Sequence, residues 1–184
     1  MRNKIVLILL ICFLSNASAN EKYLILADDG YPPYSFAQKN SIVDGLYFKI
    51  LSKIFSKMKN FDTTIEAIPW KRGLEEVKDE KAFAIYPAYF RPNDPERNWM
   101  DYSDNIYKEK VVIYCNKKIL GKGKWPEDFR GLSIGTTHLG ILKKSSHKYP
   151  RSKEFIKEFN KELSRLKTSG SFEKIVRNYI KNYK

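Results

Sequence analysis

Tyr23-Leu24-Ile25-Leu26-Ala27 runs straight into Asp28-Asp29-Gly30-Tyr31-Pro32-Pro33-Tyr34, a short apolar run stopped by a glycine and paired prolines. The run reads as a buried strand and the punctuation after it as a loop. Beyond Asp44-Gly45, apolar residues recur at Tyr47, Ile50, Leu51, Ile54, Phe55 and Met58 with Lys49, Lys53 and Lys57 between them, which predicts an amphipathic helix. Thr63 to Ile68 alternates like a strand, Pro69 can open a helix carrying Trp70, Leu74 and Val77, and Ala82 to Tyr86 reads as another buried strand. Strand, helix, strand, helix, strand in that order argues an α/β layer with a largely parallel sheet.

Further along, Arg91 to Asn105 is rich in Pro, Asn and Asp and reads as loop, and Lys110 to Cys115 as a strand. Leu132 to Gly135 reads as a strand that runs into a loop, Thr136-Thr137-His138-Leu139-Gly140. The last forty residues are helical: Phe155, Ile156, Phe159, Leu163 and Leu166 form one stripe, Gly170 breaks it, and Ser171 can cap a second helix bearing Phe172, Ile175, Val176 and Tyr179.

The chain of 184 residues is 42% hydrophobic and 30% charged, the composition of a folded protein. Its first residues stand apart: Arg2 and Lys4 precede an unbroken apolar run from Ile5 to Leu14, and Ala17-Ser18-Ala19 follows as a cleavage site. Residues 1–19 therefore read as an export signal, with a mature start at Asn20 or Glu21 and a periplasmic or secreted destination. A run of ten is too short to span a bilayer, and no later segment comes near the required length. A lipid anchor at Cys12 is disfavoured by the bulky Ile11 before it. With Cys12 in the signal, Cys115 is alone, so no intramolecular disulfide forms in the mature chain. The net charge of +13 is concentrated at the end, where residues 143–184 carry thirteen basic and four acidic side chains. These are mostly lysines alternating with glutamates along helices, which fits a solvated helical face better than a phosphate-binding surface.

Catalytic constellations are missing from the sequence. His138 and His147 lack zinc spacing, there is no P-loop, dinucleotide glycine motif or nucleophile elbow, and Cys115 sits in an apolar run. The carboxylates Glu75, Glu76, Asp79 and Glu80 fit solvated helix charges better than a hydrolytic pair. Aromatic and cationic residues instead gather where loops leave strands: Tyr31, Tyr34 and Phe36 after the first, Trp70 and Arg72 after the second, Tyr86, Tyr89, Arg91 and Arg97 at and after the third. In an open α/β sheet those strand ends line one crevice, and rings with a guanidinium suit a small polar solute bearing a carboxylate. Ordinary core aromatics and surface arginines explain the same residues equally well.

The ordered set of motifs resembles the bacterial extracellular solute-binding proteins of family 3. Ala27-Asp28-Asp29-Gly30-Tyr31-Pro32-Pro33-Tyr34-Ser35-Phe36 comes first, then Gly45, Pro69-Trp70-Lys71-Arg72-Gly73-Leu74, and Pro87-Ala88-Tyr89 with Glu96-Arg97 and Tyr102-Ser103. Asp128-Phe129-Arg130-Gly131-Leu132-Ser133-Ile134-Gly135 and the closing helices complete it. The resemblance implies a periplasmic-binding-protein-like α/β fold whose two lobes close on an amino acid or similar small polar molecule and hand it to a membrane permease. It implies that Arg97 holds the ligand carboxylate, that Tyr34 and Trp70 are pocket aromatics, and that Thr136 or Thr137 reaches the ligand from the second lobe at the start of a helix. With Arg72 and Tyr86 from the crevice, these make the expected ligand-binding set.

Two departures stand against the family pattern. Arg91-Pro92-Asn93-Asp94-Pro95 occupies the place of a threonine expected shortly before the arginine. The second lobe, with the acidic residue that meets the ligand's amino group, is nearly absent, since Lys143-Lys144-Ser145-Ser146 follows Gly140 almost at once. The expected division is a signal over 1–19, one three-layer lobe over 20–115, a truncated second lobe over 116–142, and C-terminal helices over 143–184 that pack back on the first lobe. The leading expectation is an exported, monomeric, non-enzymatic receptor of an uptake system, with no cofactor and no nucleic-acid partner, and with binding impaired by the short lobe. A cell-wall-related enzyme or a sensor built on the same lobe is one rival. A surface for anionic polymers or membranes made by the C-terminal lysines is the other.

Overall fold

The computed structural model describes residues 22–91, 93–108, 136–143 and 148–183. The expected export signal, the strand over 110–115 with Cys115, and the run from Asp128 to Gly135 lie outside the described residues.

Strand β1 (Lys22–Asp28) lies at the centre of the parallel part of a sheet, between β5 (Asp62–Ile68) and β6 (Ala84–Tyr89). A small antiparallel sheet of β2 (Gly30–Tyr31), β3 (Ser35–Ala37) and β4 (Val43–Asp44) follows β1 and leads into α1 (Leu46–Phe55). Helix α2 (Trp70–Lys78) connects β5 to β6, so both parallel connections carry a helix, as the alternation predicts. Strands β7 (Met100–Tyr102) and β8 (Tyr107–Lys108) complete the segment before residue 109.

One segment departs from the sequence reading. Residues 136–142 form β9 (Thr136–Leu142), not a loop. It lies inside the sheet, antiparallel to β6 on one side and to β7 on the other, with β8 pairing its first residues so that Lys108 faces Thr136. These seven residues therefore belong to the first lobe's sheet and not to a remnant of the second. Thr136 and Thr137 accordingly start a strand rather than a helix.

Alternation along the strands divides the core in two. Tyr23, Ile25, Ala27, Tyr86, Leu139 and Ile141 face α1 and the C-terminal helices α3 (Ser152–Thr168) and α4 (Ser171–Asn182). Leu26, Ile85, Ala88 and Met100 face α2 through Ile68 and Val77. The result is the expected three-layer α/β lobe. Helix α3 is fastened by Phe155, whose ring lies 4.8 Å from Tyr23, 4.7 Å from Phe83 and 5.1 Å from Phe61. Gly170 separates α3 from α4 in the left-handed conformation, φ 71°. Ser171 is the first helical residue and not the cap, with its N–H directed at Ser169 Oγ at 3.4 Å. The exposed lysines of α3 and α4 are interleaved with glutamates, and Arg151–Glu154 (2.8 Å) and Arg165–Glu162 (2.5 Å) pair along the helix.

Candidate functional site

Parallel pairing fixes which ends of β1, β5 and β6 share an edge. Asp28 is in register with Ile68, and Asp29 donates its N–H to the Ile68 carbonyl at 3.1 Å, so the loops after β1 and β5 leave side by side. Tyr89 ends β6 opposite Thr137 near the start of the antiparallel β9. The carboxyl ends of three parallel strands and the amino end of β9 thus meet at one edge, where open α/β sheets hold ligands.

One group of side chains occupies that edge, and a second reaches it over the first turn of α2. In the first, Tyr31 stacks on Tyr34 with centroids 5.2 Å apart, its hydroxyl hydrogen-bonds that of Tyr89 at 2.8 Å, and Tyr34 lies 5.9 Å from Tyr47. The loop carrying Tyr34 is held from below: Leu46 N–H donates to the Pro33 carbonyl at 3.1 Å and Tyr47 N–H to the Tyr34 carbonyl at 2.9 Å. In the second, Arg97 projects from a single turn, Pro95–Arg97, and lies over the Trp70 ring at 5.7 Å. Asp94 caps that turn by accepting the Glu96 N–H at 3.0 Å. It faces Arg97 Nε at 3.9 Å, while Arg91 Nη1 lies 3.8 Å away.

Only 15% of the Arg97 side chain is exposed, and its buried Nη1 has no protein hydrogen-bond partner. A guanidinium carries five donors, and a buried one left idle is costly unless a ligand or water takes it. Tyr102 Oη, on β7, is likewise buried without a partner.

The other expected residues divide. Tyr34, Trp70 and Thr136 stand at the edge, and Arg97 bears on it through its contact with Trp70. Arg72 does not enter the crevice: 71% exposed, it pairs with Glu76 at 2.9 Å one turn along α2. Tyr86 is a core residue, fully buried against the α1 and α3 side, with its hydroxyl pushed well above the usual phenol range by burial. Thr137 is also fully buried, and its hydroxyl is committed, donating to the Tyr107 carbonyl at 3.0 Å and bonded to Tyr47 Oη at 2.6 Å.

Sequence reasoning considered His138 only for zinc and missed its place here. Its ring lies 5.4 Å from Phe90 and 5.9 Å from Tyr102, with Nδ1 2.7 Å from the Ser103 carbonyl and Nε2 3.0 Å from Thr136 Oγ1. Its spacing of two from Thr136 puts both on one face of a strand, a signal legible only once 136–142 is read as a strand. Burial holds its pKa below the usual imidazole value, with Lys167 adding to the effect and the Ser103 carbonyl and Asp104 opposing it. Burial also raises the Asp28 carboxyl, helped by Asp29 and opposed by the bond from the Gly30 N–H.

Among the described residues no three His, Cys, Asp or Glu side chains gather to hold a metal. A 550 Å³ groove adjoins the segment after β1, between Phe36, Asp44 and the α4 residues Ile175 and Tyr179. No helix among the described residues is long and apolar enough to cross a membrane.

Solved structures of similar fold include three at low sequence identity. An ABC uptake transporter substrate binding protein from Streptococcus pneumoniae with bound histidine matches 86% of this chain and 92% of its own, at TM-score 0.63 and 14% identity. A histidine kinase sensor domain with similarity to periplasmic binding proteins matches 87% and 96%, at TM-score 0.63 and 11% identity. The arginine-bound form of domain 1 from TmArgBP matches 79% and 94%, at TM-score 0.53 and 14% identity. The curated proteins include no match. The family model described as bacterial extracellular solute-binding proteins, family 3, matches residues 23–182. With nearly the whole described chain inside that match, and the sheet edge built as above, the chain belongs to family 3 of the bacterial extracellular solute-binding proteins.

Proposed function

We propose that this chain is an exported receptor that binds an amino acid, or a small polar solute with the same carboxylate, and delivers it to a membrane permease. The observation that carries the reading is Arg97: mostly buried and seated over Trp70, the first residue of the helix that leaves β5, with its Nη1 bonded to no protein atom. A guanidinium donor of this kind suits a ligand carboxylate by charge, and Tyr34 and Trp70 would supply apolar cover. The bound histidine and bound arginine of two structural neighbours support the amino-acid class, and the second of these is a single domain. In this reading the protein works as a monomer without cofactor or catalysis.

Isothermal titration of the mature chain with the proteinogenic amino acids tests the reading. Binding by at least one, and a loss of about tenfold to a hundredfold in Arg97→Ala, are expected from the loss of charge-assisted hydrogen bonds. No binding by any, or full affinity in Arg97→Ala, refutes it. The likeness to a histidine kinase sensor domain favours a second reading, in which the same binding event feeds a signalling partner. Uptake of labelled ligand that survives deletion of the gene, with altered transcription, would favour the sensor.

A further inference from the structure

We infer that His138 makes the Thr136 hydroxyl a group that can only accept a hydrogen bond from the ligand, so that Thr136 receives the ligand's ammonium. The inference rests on the amino-acid reading above and extends it to the other end of the ligand.

The argument begins at the Ser103 carbonyl. A carbonyl only accepts, so His138 Nδ1, 2.7 Å from it, must carry a proton. In the neutral ring Nε2 is then a bare lone pair, and Thr136 Oγ1 at 3.0 Å must donate to it. A hydroxyl has one proton; having given it to His138, Thr136 presents lone pairs alone to a third partner. The ring cannot readily turn to reverse the roles, because Phe90 and Tyr102 pack against it and Ser103 holds its far side. Ser103 is itself fixed, its hydroxyl accepting the Leu139 N–H at 2.9 Å and donating to the Asp104 carbonyl at 2.8 Å.

Position and charge agree with this role. Thr136 is the first residue of β9, next to Thr137, which stands opposite Tyr89 at the carboxyl edge of the parallel strands, and it is partly exposed. The ring that orients it is buried among apolar neighbours, which keeps it neutral. Asp104 and Lys167 are the charged groups that act on it, with opposite signs, and Lys167 Nζ is held by the Asn105 carbonyl. An acceptor of this kind is suited to an ammonium, and it sits on the first lobe, where the shortening of the second does not remove it.

Acid reverses the polarity. A protonated His138 donates from Nε2 into one Thr136 lone pair and leaves Thr136 its own proton, so the hydroxyl has one lone pair fewer for the ligand's ammonium. Affinity for an amino acid should therefore fall as pH drops through the His138 pKa, while the deaminated carboxylic acid, lacking the ammonium, should not share that loss. In wild type the affinity ratio of an amino acid to its deaminated analogue should decrease from about pH 7.5 to about pH 5. Thr136→Val should lower amino-acid affinity about tenfold, change the analogue less than about twofold, and abolish the pH dependence of the ratio.

A measurement independent of binding is the side-chain nitrogen spectrum of wild type. With only two histidines in the chain, His147→Gln assigns the remaining signal, which should show the Nδ1–H tautomer at neutral pH. An Nε2–H tautomer, or equal loss of both ligands in Thr136→Val, overturns the inference and leaves the receptor reading intact. Failure of wild type to bind any amino acid overturns both.

Discussion

Replacing Gly45 by alanine should damage the fold far more than the same change at Gly170, although both glycines have positive φ. Gly45 has φ 120° and ψ 169°, a region almost reserved for glycine, and a Cβ there would stand 2.3 Å from the Tyr34 carbonyl oxygen and 2.9 Å from Ser35 Cα. Non-bonded carbon contacts settle near 3.5 Å, so backbone must retreat by about 1 Å. That backbone carries the bond from Tyr47 N–H at 2.9 Å and adjoins the Pro33 carbonyl that receives Leu46 N–H. About 1–3 kcal/mol of backbone strain and about 1 kcal/mol for each weakened bond give a loss of about 3–5 kcal/mol. At Gly170, φ is 71° and a Cβ would have nothing within 4 Å. Only the left-handed penalty remains, partly offset by the stiffer unfolded chain, for a loss of about 1 kcal/mol. Urea unfolding followed by tryptophan fluorescence compares the two variants. A difference below about 1 kcal/mol would show that the loop bearing Tyr34 is not clamped as described.

Phe155→Ala should cost about 4–5 kcal/mol in the same assay, because it removes a fully buried ring and its edge contacts with Phe83 and Phe61; a loss under about 2 kcal/mol would mean that α3 is held elsewhere. Tyr179 donates from its hydroxyl to the Pro33 carbonyl at 2.7 Å, so Tyr179→Phe should cost up to about 1 kcal/mol at neutral pH. Burial, with Asp44 and Tyr183, pushes the Tyr179 phenol up to about 12 from 10.0, and a raised folded pKa means that the native state keeps its proton longer than the unfolded chain. Wild type's advantage over the phenylalanine variant should be complete below pH 10 and shrink as pH approaches about 12; an advantage that grows over that window contradicts the assignment.

The parallel half of the lobe was legible because periodicity and punctuation agree there. Tyr23–Ala27 is apolar throughout and stops at Gly30 and Pro32, and α1 repeats its apolar residues at the helical period. Strand β9 was not legible, and Gly140 shows why. A Cβ at that position would meet Met100 Sδ at 2.6 Å and Ala88 Cβ at 3.0 Å, so the close approach of neighbouring strands and side chains demands a residue that local reading takes for a turn. Its neighbours Thr137 and His138 are polar because hydrogen-bond partners for them lie on distant parts of the chain: Tyr47, Ser103 and Tyr107. Tyr86 was misplaced for a related reason. Pro87 looks like the end of a strand, yet β6 continues to Tyr89 with its register to β9 irregular between Ile85 and Ala88, so Tyr86 is interior where it read as terminal. At the site, Trp70 and Arg97 could be picked as separate candidates, but their stacking depends on how the Asp94 turn folds over α2, which spacing does not encode.

The pairing of Lys108 with Thr136 has a bearing on how such a chain can change length. Lys108 and Thr136 are cross-strand neighbours, so whatever joins them is attached at a single port. Lengthening or trimming the connection leaves every other strand pair in register, and each doubling of a flexible closed loop costs only about 0.6 kcal/mol. A lobe hung on such a port can be resized in evolution, with selection on the sheet and selection on the appended segment acting almost separately.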